Sequence, residues 1–308
     1  MISQRFSIGP AGAEIAMLRW GESGKPPALL VHGTGFVADV WNEVARDLAS
    51  TYTVYGLDRR GHGASHKPRT YHFADYADDI CRVIDALGLR DVYGIGHSAG
   101  ATDLLLAAKL LPGCFTRLFV MEPTVMSPHA ARDPSVGLSE QSLSRVQGAL
   151  RRQAEFDSHD AVFKRYRAAP AFADWTEASL WAYVRHGFAP LDNGRVRLCC
   201  TPEIESAMLR PIYEAMEQVY VGDARGNPFA WFGEIECPVM VTAAETSGLV
   251  YKEMAARAVA LIPQARTLAF EGAGHCVAQE APAPRAAGGP GIFCVDPRSC
   301  PHGLKRRV

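Results

Sequence analysis

No stretch of this sequence is apolar for long enough to span a bilayer. Net charge is nearly absent too: 32 Lys and Arg stand against 33 Asp and Glu, a formal −1 at pH 7. Neither nucleic acid nor an anionic membrane surface is the expected partner of such a chain. Met1–Pro10 lacks the basic head and apolar run of a secretion signal. The eight cysteines show no paired zinc-type spacing, and Cys199-Cys200 is a vicinal pair unsuited to a compact disulfide framework. They read as reduced and mostly buried, and the expected location is cytoplasmic. No internal repeat is present.

What the sequence does have is apolar bulk. With 308 residues and 48% of them hydrophobic, it can bury a large core. That length suits one α/β domain carrying an insertion. The most informative stretch is Val92–Gly100. Val92, Tyr93 and Ile95 read as a strand, and Ala101–Leu111 reads as a helix. Between them stands Gly96-His97-Ser98-Ala99-Gly100, a Gly-x-Ser-x-Gly motif. A serine on a sharp strand-to-helix turn is lifted above the sheet edge, and the two glycines leave room for the bend. Amides at the start of the following helix then face the same point, so a nucleophile and a site for negative charge share one turn. Without partners elsewhere, the same letters describe an ordinary Gly-rich connection.

The rest alternates in the same manner. Arg5–Ile8 and Glu14–Trp20 read as short strands joined by a Gly-Pro turn. Pro27–Val31 reads as a strand buried on both faces, and it runs into His32-Gly33-Thr34-Gly35. The amide of Thr34 there is a candidate oxyanion donor, beside that of Ala99. Asp39–Ala49 has helical spacing, Tyr52–Leu57 reads as a strand, and Asp58–Ser65 is a turn-rich link. An amphipathic helix ends at Gly88, and the strand Arg117–Met121 runs into Glu122-Pro123. Such alternation predicts a mostly parallel sheet with helices on both faces.

From Ser127 to Gly233 strand-like runs nearly vanish. Helical stretches are expected at Leu138–Ser158, Asp160–Tyr166, Thr176–Gly187 and Glu203–Tyr220, a helical cap inserted into the sheet domain. Arg145, Arg151, Arg152, Lys164, Arg165 and Arg167 follow no single stripe and read as a solvated surface. The many cap aromatics, Phe172, Trp175 and Tyr183 among them, read as cap core, with a few lining an apolar pocket. The sheet pattern resumes at Pro238–Ala243 and Ala265–Phe270, and Glu271-Gly272-Ala273-Gly274-His275 follows. Residues 283–308 are rich in Pro, Gly, Arg and Ala and read as an irregular tail. Cys294, Cys300 and His302 there make too weak a set for a metal site.

Four features in this order, His32–Gly35, Asp58–Ser65, Gly96–Gly100 and Gly272–His275, resemble the α/β-hydrolase superfamily. The likeness divides the chain into a core over 1–126 and 234–282, a cap over 127–233 and a tail over 283–308. It implies Ser98 as nucleophile, His275 as general base, and the amides of Thr34 and Ala99 as oxyanion hole. The acid departs from the family pattern. Where most members have an Asp, this chain has Ser247. Glu122, at the end of the strand after the Ser98 helix, and Glu245, two residues before the usual place, are the two candidates, with Glu122 favoured. The family's final helix after the histidine has no counterpart, as though the reading frame changed near Ala283.

The implied reaction is acyl transfer to water from a small apolar ester, or a related lactone or thioester, with no cofactor and no metal. Dehalogenases and epoxide hydrolases of this family use an Asp nucleophile, so Ser98 argues against those activities. A homodimer is compatible with the composition. The alternative is a small-molecule receptor or binding protein of the same fold with a degraded triad.

Overall fold

The structure is a computed structural model, and it describes residues 3–72, 74–125, 139–218, 229–281 and 304–307. Strands β1 (Gln4–Ile8) and β2 (Ile15–Trp20) form an antiparallel hairpin on one flank. Then come β3 (Pro27–Val31), α1 (Asn42–Leu48), β4 (Thr53–Leu57), α2 (Asp75–Ala86), β5 (Val92–His97), α3 (Ala99–Leu110) and β6 (Phe115–Met121). A second region follows: α4 (Glu140–Leu150), β7 (Glu155–Phe156), α5 (His159–Arg167), α6 (Glu177–Gly187), β8 (Phe188–Pro190), β9 (Val196–Leu198) and α7 (Pro202–Gln218). The chain then returns through β10 (Val239–Ala244), α8 (Leu249–Leu261), β11 (Ala265–Glu271), α9 (Val277–Glu280) and β12 (Leu304–Arg307).

Nine strands make the main sheet in the order β1-β2-β4-β3-β5-β6-β10-β11-β12. From β4 to β12 every pairing is parallel, as the alternation predicts. β4 lies on one side of β3 and β5 on the other, so the strand order reverses at β3. Loops leaving neighbouring strands at such a point diverge and open a crevice at their carboxyl ends. The loops after β3 and β5 are His32–Gly35 and the Ser98 turn.

β3 is buried on both faces. Leu29 and Val31 pack with α2 and α3, while Ala28 and Leu30 pack with α1. The second cluster continues without a break into the cap through Phe156, Tyr166, Trp175, Tyr183 and Phe188. The region 139–218 therefore packs against the sheet through shared apolar surface.

Three expectations need correction. The cap is not purely helical: the helix expected to Ser158 stops at Leu150, and β7, β9 and β8 form a small antiparallel sheet. Strands of two and three residues are too short to show alternation in sequence. The basic residues of the cap are not uniformly solvated. Arg167 donates to the backbone oxygens of Phe172, Ala173 and Trp175, and Arg152 pairs with Glu205. The expected irregular tail contains β12, which pairs with the open edge of β11. The rest of the tail, with Cys294, Cys300, His302 and the suggested frame change near Ala283, lies outside the described residues. Among the described residues no helix is long and apolar enough to cross a membrane. Among the described residues six cysteines, Cys199 and Cys200 included, are free thiols.

Candidate active site

Ser98 sits between β5 and α3 with φ 53° and ψ −122°. A non-glycine residue there stores about 1–3 kcal/mol of strain, which the surrounding packing must hold. The glycines show how tightly. A Cβ on Gly96 would lie 2.6 Å from the Ala101 Cα, and one on Gly100 would lie 2.4 Å from the His32 carbonyl oxygen. Neither position accepts a larger residue without moving backbone. The Ser98 amide donates to the Met121 carbonyl (2.8 Å), which ties the turn to the end of β6.

Glu122 directly follows that end. It has φ 44° and no solvent exposure. Its Oε2 lies 2.6 Å from His275 Nδ1, so that nitrogen is the donor to the carboxylate. Its Oε1 accepts from the Ala244 amide (2.9 Å) and the Ser247 hydroxyl (2.5 Å). The serine at the family's usual acid position thus anchors the carboxylate from the neighbouring strand. Glu245 is exposed and accepts from the Gly272 amide (2.8 Å). It braces the loop before His275, while Glu122 meets the imidazole.

His97 Nε2 donates to the His275 carbonyl oxygen (2.9 Å), and the two rings lie 4.7 Å apart. Burial, and next the proximity of His275, hold the His97 pKa well below the usual value, so it is neutral. The Ser98 turn and the His275 loop are joined by this contact. Among the described residues Ser98 and His275 are not hydrogen-bonded to each other. Catalytic hydrogen bonds are often long in ligand-free proteins.

The His32–Gly35 loop completes the floor. A Cβ on Gly33 would meet the Ser98 Cβ at 3.2 Å, so this loop lies against the serine. Gly35, at φ 85°, donates its amide to His62 Nε2 (2.9 Å), and His62 Nδ1 donates to the Arg60 carbonyl (3.1 Å). His32 Nε2 accepts from the Arg59 amide (3.0 Å). Burial lowers the His32 pKa to about 3 and depresses His62 as well. Both rings are neutral props with fixed tautomers. The bracing role of the Asp58–Ser65 turn was not legible in sequence; the histidines at 32 and 62 were its only signal. The amides of Thr34 and Ala99 have no acceptor among the described residues.

Residues 26–282 match the family described as alpha/beta hydrolase fold. The chain belongs to the α/β-hydrolase family. A 2-(acetamidomethylene)succinate hydrolase of Mesorhizobium japonicum is 27% identical over 286 residues, 91% of each chain. The crystal structure of an E-2-(acetamidomethylene)succinate hydrolase superposes with a TM-score of 0.72 at 23% identity, covering 91% of this chain and 94% of that one. A thioesterase domain from the curacin biosynthetic pathway gives 0.73 at 22% identity, covering 91% and 96%. At that identity these structures speak for the fold alone.

In this α/β-hydrolase the region 139–218 brings aromatic and cationic groups to the His32–Gly35 loop. Phe36, just after the His32–Gly35 loop, stacks on His97 at 6.2 Å and meets Trp175 and Tyr183 edge-on at 5.1 and 5.5 Å. Arg152 reaches the same loop: its Nη1 would lie 3.3 Å from a Cβ on Gly35. It also hydrogen-bonds Glu205, Tyr166 and Tyr183. On the His275 side, the Tyr251 ring stacks on the imidazole at 3.8 Å and 19°. Arg145 of α4 lies within electrostatic reach of Tyr251 and of Tyr213 on α7. Burial works to lower its pKa, and the two tyrosines more than offset that, so Arg145 is a cation.

Proposed function

We propose that this protein is a serine hydrolase acting on a small carboxylic ester or a related acyl compound. Ser98 attacks the carbonyl carbon, His275 takes the Ser98 proton through Nε2, and the Glu122 carboxylate stabilises the imidazolium that forms. The Thr34 and Ala99 amides receive the oxyanion, and one such donor is typically worth about 3 kcal/mol of barrier. The leaving alcohol takes the proton back from His275. Water, activated by the same imidazole, then releases the acyl group. The observation that carries this reading is the fully buried Glu122 carboxylate 2.6 Å from His275 Nδ1, in a loop joined to the strained Ser98 turn. The name of the Mesorhizobium relative adds an amide-type acyl group to the substrates worth screening.

Ester turnover by the wild type, abolished in Ser98→Ala, tests the reading. A second reading, a small-molecule binding protein, draws on the absence of a Ser98–His275 hydrogen bond among the described residues. It predicts ligand binding without turnover, and equal ligand affinity in wild type and Ser98→Ala.

A further inference from the structure

The residue before the nucleophile carries a side chain that the reaction itself does not use. His97 is the last residue of β5 and is buried, at 1% exposure. Its Nε2 reaches across to the loop of the general base and donates to the His275 carbonyl oxygen (2.9 Å). Its Nδ1 faces the oxyanion loop, 3.0 Å from where a Cβ on Gly33 would stand. That nitrogen is buried and has no hydrogen-bond partner among the described residues. A residue present only to fill space would be apolar here, because a buried acceptor without a donor costs stability. The cost is borne by a ring whose other nitrogen holds the His275 backbone.

Strand register shows why this contact bears on the base. His97 pairs with Met121 where β5 and β6 end. The next residues are Ser98 on one strand and Glu122 on the other, and the Ser98 amide is bonded to the Met121 carbonyl. One rigid edge thus presents the nucleophile, the acid and His97 together. His275 meets that edge twice, its ring at Glu122 Oε2 (2.6 Å) and its backbone at His97 Nε2. A single contact would leave the imidazole able to pivot. Two contacts fix where the ring stands relative to Ser98. The loop has other anchors, the Gly272 amide on Glu245 (2.8 Å) and the Cys276 amide on Glu280 (3.1 Å). Neither runs to the strand ends that carry Ser98 and Glu122.

We infer that His97 is a positioning residue, which through its bond to the His275 carbonyl sets the distance and angle at which the imidazole meets Ser98. This rests on the Ser98 reading for the reaction and adds to it the group that places the base. A shift of about 1 Å in a catalytic group costs about a hundredfold in rate. Loss of the bond is therefore felt in the chemical step more than in substrate binding.

The test uses His97→Gln, whose amide can put an N–H where Nε2 stands, His97→Asn, which is one methylene too short, and His97→Met, which has no donor. Two rates are measured for each. One is hydrolysis of 4-nitrophenyl acetate, as kcat and KM separately. The other is inactivation by phenylmethanesulfonyl fluoride, in which the Ser98 oxygen bonds to sulfur, the S–F bond breaks, fluoride leaves and His275 takes the hydroxyl proton. The expected result is a fall of about ten- to a hundredfold in kcat and in the inactivation rate for Asn and Met, on the scale of a displaced catalytic group. KM should stay nearly constant, and Gln should restore most of both rates. Two results overturn the inference: rates in Asn and Met equal to wild type, or an equal fall in all three variants. If wild type neither hydrolyses the ester nor reacts with the sulfonyl fluoride, the Ser98 reading fails separately. The downfield proton resonance of His275 Nδ1–H then decides: its loss in Asn and retention in Gln supports the placement of the ring by His97, and no difference between them ends it. Thermal melting verifies folding, and the comparison of Gln with Asn stands even where Met does not fold.

Discussion

The sheet domain and the cap treat polar side chains in opposite ways. In the sheet domain Glu122, His32 and His62 are wholly shielded from solvent, and each sits on named partners at fixed distances. In the region 139–218, Arg152 keeps part of its surface in water and holds the hydroxyls of Tyr166 and Tyr183. The first arrangement sets geometry: backbone turns and short side chains leave no slack. The second sets what the crevice accepts, through long side chains that can adjust. The strongest tests ask whether damage to the first destroys chemistry outright while damage to the second only changes preference.

The largest effect is expected at Ser98. Ser98→Ala should lower kcat by about a million-fold, the scale for a lost nucleophile. Its melting temperature should hardly move, because the hydroxyl caps no helix amide. Residual activity above that level would point to another nucleophile. Next are the two carboxylates. Glu122→Gln should cost about 10³–10⁴ in kcat, as when a triad acid no longer fixes its histidine. Glu245→Gln should stay within about twofold, since its partner is the Gly272 amide. Steady-state kinetics on one ester reads both, and a reversal of their order would reassign the acid.

The third test is acid stability. Burial holds the His32 pKa at about 3, and His62 is depressed too, against 6.5 in the unfolded chain. Below pH 6.5 the unfolded chain takes up protons that the folded one refuses. Each such histidine then removes about 1.4 kcal/mol per pH unit, beginning at 6.5 and, for His32, ending near 3. Urea midpoints at pH 7, 6 and 5 should fall accordingly, and the fall should be shallower in His32→Asn.

The same contrast explains what could be read from sequence. The mostly parallel sheet was legible from alternation, and the Ser98 turn because backbone geometry demands glycine at 96 and 100, where a Cβ would strike backbone. Glu122 was legible as a candidate because strand ends at the crevice are few. Its place at a strand end already favoured it over Glu245, while Ser247 holding its carboxylate is visible only in the coordinates. The cap gave no such signal. Its short sheet is below the length at which alternation appears. Arg152 looks like any other arginine at an amphipathic helix until tyrosines from distant segments close on it. Long side chains can reach a partner from many positions, so spacing constrains them weakly.

The smallest effect belongs to the partner of Arg152. Glu205 pairs with it at modest exposure, 26% and 14% for the two side chains. A pair that solvent still reaches is worth little, so Glu205→Gln should lower stability by about 1 kcal/mol. For a domain of this size that is a fall in melting temperature of about 2–4 °C. Tyr166 and Tyr183 would still hold the guanidinium against the Gly35 loop. Its charge, however, would no longer be met by the Glu205 carboxylate. If cation charge left open to the crevice selects anionic substrates, the ratio of kcat/KM on an anionic ester to that on a neutral one should rise by about two- to threefold in Glu205→Gln while kcat on the neutral ester changes less. An unchanged ratio with the same loss of stability would mean that the Arg152 charge does not reach the substrate.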